Sequence, residues 1–234
     1  MKIFFFLTFL IALNNTAFGQ ADNKYTQYPD YWSSEREYKY IGLYIDSAGQ
    51  NITTEKITLH PTGQEWEADS RQTLMDFTLD SLSADWRKLP DIPINGIHNN
   101  WMSNYHEGVL QNSNKIWMHP IRQNQYRLTE IAPFPQIIFP IRQDTSWKDT
   151  LFIYPAMGTF EGTVESTYTI SADETRDYEF GKLNCWKITA IGIHDKLGIN
   201  SVIYYFNDEF GFTEMNYTFY NKQKIEFKLV SLKK

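Results

Sequence analysis

The amino-acid sequence predicts a mainly β protein with antiparallel strands and little helix. Three observations support this prediction: apolar and polar side chains alternate in the C-terminal part, short turns rich in Gly and Asn separate these stretches, and prolines punctuate the middle. Aromatic residues make up 16% of the chain, which is enough to build a large core because each ring buries roughly 150–250 Å².

The first nineteen residues have the layout of a secretory signal peptide. Lys2 precedes an apolar run over residues 3–13, and the small residues Ala17 and Gly19 are typical of a cleavage site. The run is too short for a spanning helix, which needs about 20 apolar residues. We therefore expect cleavage before Gln20, or alternatively after Ala21, and a periplasmic or secreted protein.

Residues 20–234 are predicted to form a single domain without a disulfide, since Cys185 is the only cysteine of the chain. Removal of the leader changes the formal charge from −6 to −7, because the leader contains one lysine and no acid. This acidic balance argues against nucleic acid as a partner, since nucleic-acid binding needs clustered Lys and Arg.

The N-terminal half gives weaker signals. Residues 20–40 are polar and rich in Tyr, and we predict an extended arm that lies on the domain. Residues 41–46 and 52–60 are β-branched around a Gly-Asn turn and predict a hairpin. Residues 73–79 alternate like a strand, although the surrounding pattern also fits a helix. The Asn-, Gly- and Pro-rich residues 88–115 predict a long loop and a candidate functional region.

Prolines dominate the middle of the chain. The short sequences HPIRQ (119–123) and FPIRQ (139–143) echo each other but are too short to indicate a repeat architecture. Proline is confined to the edges and ends of sheets, and Pro133 and Pro135 favour extended backbone around them. We therefore predict that this segment runs along the rim of a sheet.

The last third is predicted to be strands throughout. Residues 151–162 and 163–175 are two strand-like stretches, and residues 178–232 follow as a four-strand meander. In this meander Trp186, Ile188 and Ala190 share one face. Short turns with Gly or Asn near residues 194–200, 207–211 and 221–223 separate the strands.

Two stretches resemble known proteins. HPIR followed by LTEIAPFPQIIFPI and a Trp resembles a pattern in exported Bacteroidota proteins of unknown function. Cys185-Trp186 followed by YYFNDEFGF resembles the same group and, more loosely, the lipoprotein carriers of the periplasm. The resemblance covers residues 115–232 and implies a curved antiparallel sheet or half barrel without catalytic residues. The chain departs from the pattern at Ile121, where a second proline is expected, and in having no lipid-attachment cysteine.

Motifs of catalysis and metal binding are not found in the sequence. The five histidines lack metal-ligand spacing, and there is neither a GxSxG elbow nor an SxxK motif. Cys185 lies in a predicted strand without a neighbouring His, which favours a buried, inert thiol. We expect a protein that is not an enzyme and needs no cofactor or metal. A degradative enzyme ranks third, after the two binding functions described below.

One polar cluster is the candidate ligand-binding site. His119, Arg122, Arg127 and Glu130 place an imidazole, two guanidiniums and a carboxylate within a dozen residues beside a proline-bounded edge. Such a cluster suits the mouth of a pocket, where Arg binds a carboxylate or phosphate. A salt-bridged structural corner is the alternative, and the residue types favour it.

Two binding functions are compatible with the sequence. The first is an apolar or amphiphilic ligand held in the concave face of the sheet, as the resemblance implies. The second is a carbohydrate-binding or surface-interaction module that uses exposed aromatic rings among the seven tryptophans. A contiguous apolar concavity would favour the first, and a flat row of exposed rings the second.

Overall fold

The structure is a computed structural model that describes residues 28–80 and 102–234. Within these ranges twelve strands form one antiparallel sheet, which curls into a half-barrel and confirms the predicted fold class. Two 3₁₀ helices, Asn124–Ile131 and Pro155–Phe160, also lie in these ranges. The strands are β1 (Glu37–Ile45), β2 (Asn51–Trp66), β3 (Asp69–Leu79), β4 (Asn104–Gln111), β5 (Lys115–Met118), β6 (Gln136–Ile138), β7 (Ser146–Ile153), β8 (Gly162–Tyr178), β9 (Gly181–His194), β10 (Gly198–Asn207), β11 (Gly211–Thr218) and β12 (Lys224–Lys233).

The sheet consists of two meanders that meet at its centre. Strands β1 to β6 run outward to one edge, and strands β7 to β12 run from the other edge back to pair with β1. The two edges approach each other through side chains, since Gln136 on β6 donates a hydrogen bond to Asp149 on β7 at 2.9 Å. The four-strand meander predicted for residues 178–232 is present as β9 to β12.

The inner, concave face of the sheet carries the main hydrophobic core. Alternate residues of each strand point inward, as the period-two pattern predicts. Tyr40, Ile57, Phe77, Met215 and Phe227 are examples, all of them almost completely buried. Because these side chains come from both meanders, one continuous core holds the two halves together.

Residues 119–135 fill the inner face. Tyr126 and Ile131 of the first 3₁₀ helix are completely buried, and the Tyr126 ring contacts Phe227 edge-on at 4.9 Å. Gly42 on β1 permits this approach, because a Cβ there would lie 2.6 Å from the Tyr126 hydroxyl. The prediction that the proline-rich segment follows the rim is confirmed for residues 136–138, which form the edge strand β6. It is wrong for residues 119–135, whose apolar side chains turn them into the core.

Sheet side chains satisfy the backbone of this inner segment. Asn200 donates to the carbonyl of Ile131 at 2.6 Å, and Tyr168 donates to that of Phe134 at 3.0 Å. Tyr204 donates to the carbonyl of Pro133. Irregular backbone can therefore lie inside the half-barrel without leaving these buried carbonyls unpaired.

Several other boundaries differ from the sequence-based expectations. The arm predicted for residues 20–40 is described from Tyr28 onward, and its last four residues belong to β1. Tyr31 packs inside the molecule and donates a hydrogen bond to the Asp208 carbonyl. The ambiguous residues 73–79 are strand. Of the predicted loop 88–115, residues 88–101 lie outside the described residues, and residues 104–111 form β4 because Tyr105, Glu107 and Val109 alternate inward. The leader 1–19, Trp86, His98 and Trp101 lie outside the described residues.

The tip of the β8–β9 hairpin folds over the outer face of the sheet. Its Tyr178 hydroxyl bonds to Thr213 on β11 at 2.7 Å, and Tyr178, Cys185 and Tyr205 form a second, smaller cluster. Cys185 is buried, and burial raises the pKa of its thiol, as suits the predicted inert residue. No helix in the described ranges is long and apolar enough to cross a membrane.

Candidate functional site

The predicted cluster on residues 119–130 centres on Arg122, which two carboxylates clamp. Its Nε donates to Glu107 Oε1 at 2.7 Å and its Nη2 donates to Glu107 Oε2, a bidentate pair. Its Nη1 lies 2.8 Å from Glu130 Oε1. Both carboxylates are almost completely buried, and the Arg122 side chain is 20% exposed. The guanidinium therefore has its partners within the protein.

The pKa values of this cluster follow from burial and from the partner charges. Burial would lower the pKa of Arg122, but the carboxylates of Glu130 and Glu107 raise it further than burial lowers it. At Glu130 burial raises the pKa despite the attraction of Arg122, and the positive charge of Arg127 acts on the same carboxyl. The cluster is thus a compact ionic group with two acids around one clamped arginine.

His119 lies at the side of this cluster among aromatic rings. Its ring contacts Trp66, Trp117 and Phe134 at centroid distances of 5.2, 4.6 and 5.7 Å. Its Nδ1 lies 3.0 Å from the Gly108 carbonyl and 3.9 Å from Glu107 Oε2. Burial and the nearby Arg122 lower the pKa of His119 to about 4, so the imidazole is neutral at pH 7.

These contacts are those of a salt-bridged corner, which the residue types favoured. The sequence placed His119, Arg122, Arg127 and Glu130 together correctly but missed Glu107, the bidentate partner. The signal for Glu107 is its position between Tyr105 and Val109 on β4, where alternation puts a carboxylate on the inner face. That these residues bind a ligand stays a prediction, with the described ion pairs as the competing explanation.

A second polar site lies on the outer face and was not anticipated from the sequence. A groove of about 690 Å³ opens between the tip of the β8–β9 hairpin and strands β11, β12 and β1. Its apolar lining includes Ile41, Leu43 and Val230, which point outward at half-buried positions. The volume falls in the range of small-molecule sites, which is roughly 300–1,000 Å³.

Strand register fixes the polar side chains of this outer groove. Lys228 on β12 stands between Ile41 on β1 and Glu214 on β11. Two residues earlier, Glu226 stands between Leu43 and Asn216. Charged and apolar side chains therefore alternate across neighbouring strands, and the sequence cannot show this because the strands are far apart in the chain.

Arg176 of the hairpin closes one wall of the outer groove. It donates to Glu214 through Nη2 at 2.8 Å and through Nε at 3.4 Å. Its guanidinium lies 4.2 Å from the centre of the Tyr205 ring, a cation–π contact. Hydrogen bonding to Glu214 raises the pKa of Arg176, so the guanidinium stays protonated in its ion pair with Glu214.

The described tryptophans do not form a sugar-binding platform. Among residues 28–80 and 102–234, Trp32 is buried and Trp66, Trp117, Trp147 and Trp186 are half-buried. The exposed pair Phe152 and Tyr154 meets at 85°, so the two rings share no flat face. Within the same ranges no three His, Cys, Asp or Glu side chains converge as metal ligands.

The chain matches no protein family and no curated protein. Among solved structures it is similar to a proposed lipoprotein of Parabacteroides distasonis, with 9% identity, 88% of this chain and 98% of that one covered, and a TM-score of 0.48. An exported protein of Bacteroides fragilis with a YmcC-like fold has 10% identity, 86% and 97% coverage, and a TM-score of 0.43. A LolA-superfamily protein of Nitrosomonas europaea has 7% identity, 85% and 84% coverage, and a TM-score of 0.31. At these identities the likeness concerns the fold alone.

Proposed function

We propose that this is an exported, non-enzymatic protein that binds a small amphiphilic ligand in the outer groove. The observation that carries the proposal is the groove of about 690 Å³, in which Ile41, Leu43 and Val230 lie beside charged side chains. Such a mixture suits a ligand with an apolar chain and a polar head.

The inner face gives less support for binding than the resemblance implied. Residues 119–135 occupy it, and side chains such as Tyr126 and Ile131 are buried there. A ligand on this face would have to displace them, which costs roughly 1.5–3 kcal/mol for each large apolar side chain exposed. The outer groove requires no such displacement.

The proposal is tested with dodecyl maltoside, an uncharged amphiphile, added below its micelle concentration to the protein with labelled Ile, Leu and Val methyl groups. We expect the NMR signals of Ile41, Leu43 and Val230 to shift on binding. Leu43→Asn should weaken binding about tenfold, because one large apolar contact is worth roughly 1.5 kcal/mol or more.

A matched control is Ile193→Asn. Ile193 is an outward-facing side chain on β9, 54% exposed, and it does not line the outer groove. This variant should bind like the wild type. Absence of binding would refute the proposal, as would shifts confined to the inner methyl groups of Ile57, Ile131 and Leu128.

A further inference from the structure

The outer groove is lined by more carboxylates than cations. Four carboxylates, those of Asp177, Glu179, Glu214 and Glu226, line the groove together with two cations, Arg176 and Lys228. A third cation, Lys182, lies 3.4 Å from Asp177. The groove therefore carries more negative than positive charge. This imbalance matters for the head group of an amphiphile, because a partly enclosed site is screened less by salt than an open surface.

Both cations that line the groove are directed at one carboxylate. Arg176 binds Glu214 at 2.8 Å, and the Lys228 ammonium lies 3.9 Å from the other oxygen of Glu214. The Glu214 side chain is only 5% exposed, so this carboxylate is committed to the two cations and is not accessible to a ligand.

Two carboxylates of the groove, those of Glu179 and Glu226, have no counter-charge among residues 28–80 and 102–234. Glu179 is exposed, whereas Glu226 is half-buried, and its carboxylate makes no hydrogen bond or ion pair within these ranges. Strand register places it opposite Leu43, one of the apolar side chains of the outer groove. A free acceptor for a positive charge thus lies directly beside the surface proposed to hold an apolar chain.

A neighbouring ring engages one of the groove cations. The Lys228 ammonium lies 5.2 Å from the centre of the Tyr178 ring, which lines the same groove. Aromatic faces attract cations through their quadrupole, so this contact holds Lys228 beside Tyr178 and Glu214. Lys228 is therefore engaged by groups other than Glu226.

We propose that the ligand of the outer groove is a cationic amphiphile, whose ammonium or guanidinium head binds Glu226 while its apolar chain lies on Ile41, Leu43 and Val230. The inference rests on the proposed function and adds the charge of the head group to it. It also distinguishes this groove from an anion site, since both groove cations already have a carboxylate.

The test compares three probes with the same apolar chain: dodecyltrimethylammonium, dodecyl maltoside and dodecyl sulfate, each below its micelle concentration. Calorimetric titration should give the tightest binding for the ammonium, by up to about fivefold over the maltoside, the upper end for a partly exposed charge pair. The sulfate should bind most weakly, and added salt should reduce the differences.

Glu226→Gln identifies the residue responsible. This variant should bind the maltoside as the wild type does and lose the preference for the ammonium. Glu165→Gln removes the same charge from an exposed position on β8 outside the outer groove and should keep the preference. Thermal melting of both variants checks that each is folded.

The outcomes separate the two proposals. Equal affinity for the three probes, or tightest binding of the sulfate, would overturn the cationic head group and leave the amphiphile site standing. Loss of the preference in both variants alike would assign it to general surface charge and overturn the role of Glu226. Failure of all three probes to bind would refute the site itself and the inference with it.

Discussion

Two arginine–glutamate clusters in this molecule have opposite compositions. On the inner side one cation, Arg122, lies between the two carboxylates of Glu107 and Glu130. On the outer side one carboxylate, Glu214, lies between two cations, Arg176 and Lys228. The inner cluster is enclosed by the packed segment 119–135, and the outer one borders an open groove. The comparison teaches that an arginine next to a glutamate indicates a binding site only when the surrounding packing leaves room for a ligand.

The largest loss of stability is expected from a substitution in the inner cluster. Arg122→Ala leaves Glu107 and Glu130 buried without their main cation, and breaking a buried pair in this way costs about 3–5 kcal/mol. Urea denaturation at pH 7 measures the loss of stability. Arg176→Ala is the matched control, and it should cost about 1 kcal/mol or less because Arg176 is partly exposed and Lys228 still faces Glu214. Similar losses in the two variants would contradict the distinction between the clusters.

His119 should make the stability of the inner cluster depend on pH. Its pKa in the folded protein is about 4, below the ordinary value of 6.5, so the unfolded chain takes up the proton first as the pH falls. The contribution of His119 to the free energy of unfolding is roughly 3 kcal/mol at most. It is fully present above pH 6.5 and is lost as the pH falls from 6.5 to 4. Urea denaturation across this window should show a shallower pH dependence in His119→Gln. An unchanged slope would mean that other groups control this range.

Glu55 shows a third arrangement, a buried carboxyl that forms no ion pair with any cation in the part of the chain that the structure describes. Gln125 and Tyr126 donate to its Oε2 at 2.5 and 2.9 Å, and burial raises its pKa. The pKa of Glu55 is higher in the folded protein than in the unfolded chain. Its contribution to stability is therefore fully present below pH 4.5 and is lost as the pH rises through the folded pKa.

Replacement of Glu55 by glutamine should therefore stabilise the protein. At pH 7 we expect Glu55→Gln to raise the free energy of unfolding by on the order of 1 kcal/mol, since the added amide can donate within a site that has buried acceptors. The gain should disappear below pH 4.5, as thermal melts at the two pH values can show. A loss of stability at pH 7 would indicate that the ionised carboxylate is the better partner for Tyr126.

The sequence predicted the regions whose pairing is local. Strands β9 to β12 follow one another with short turns, so the period of two and the turn residues determined both their positions and their neighbours. The same period predicts which residues of a strand share a face of the sheet with Glu55, Glu107 or Glu214. It does not predict which other part of the chain covers that face.

The remaining features depend on contacts between distant parts of the chain. Residues 119–135 have the prolines and charges of a rim, and their inward path requires Asn200, Tyr168 and Tyr204 to bind their carbonyls. The outer groove needs the β8–β9 hairpin to reach β11 and β12. The spacing of residues along the chain predicts neither of these two contacts.

The pairing of β1 with β12 has a consequence for how the protein acquires its structure. Tyr40 near the start of the described chain pairs with Leu229 near its end, so nearly the whole domain must be available before the centre of the sheet can form. Closing this one long-range pairing carries the largest loop-closure cost in the sheet, because every other ladder joins strands that follow one another in the chain. Without β12 the two meanders would share no ladder of hydrogen bonds. A chain that lacks β12 can therefore form the hairpins within each meander, but not the centre of the sheet.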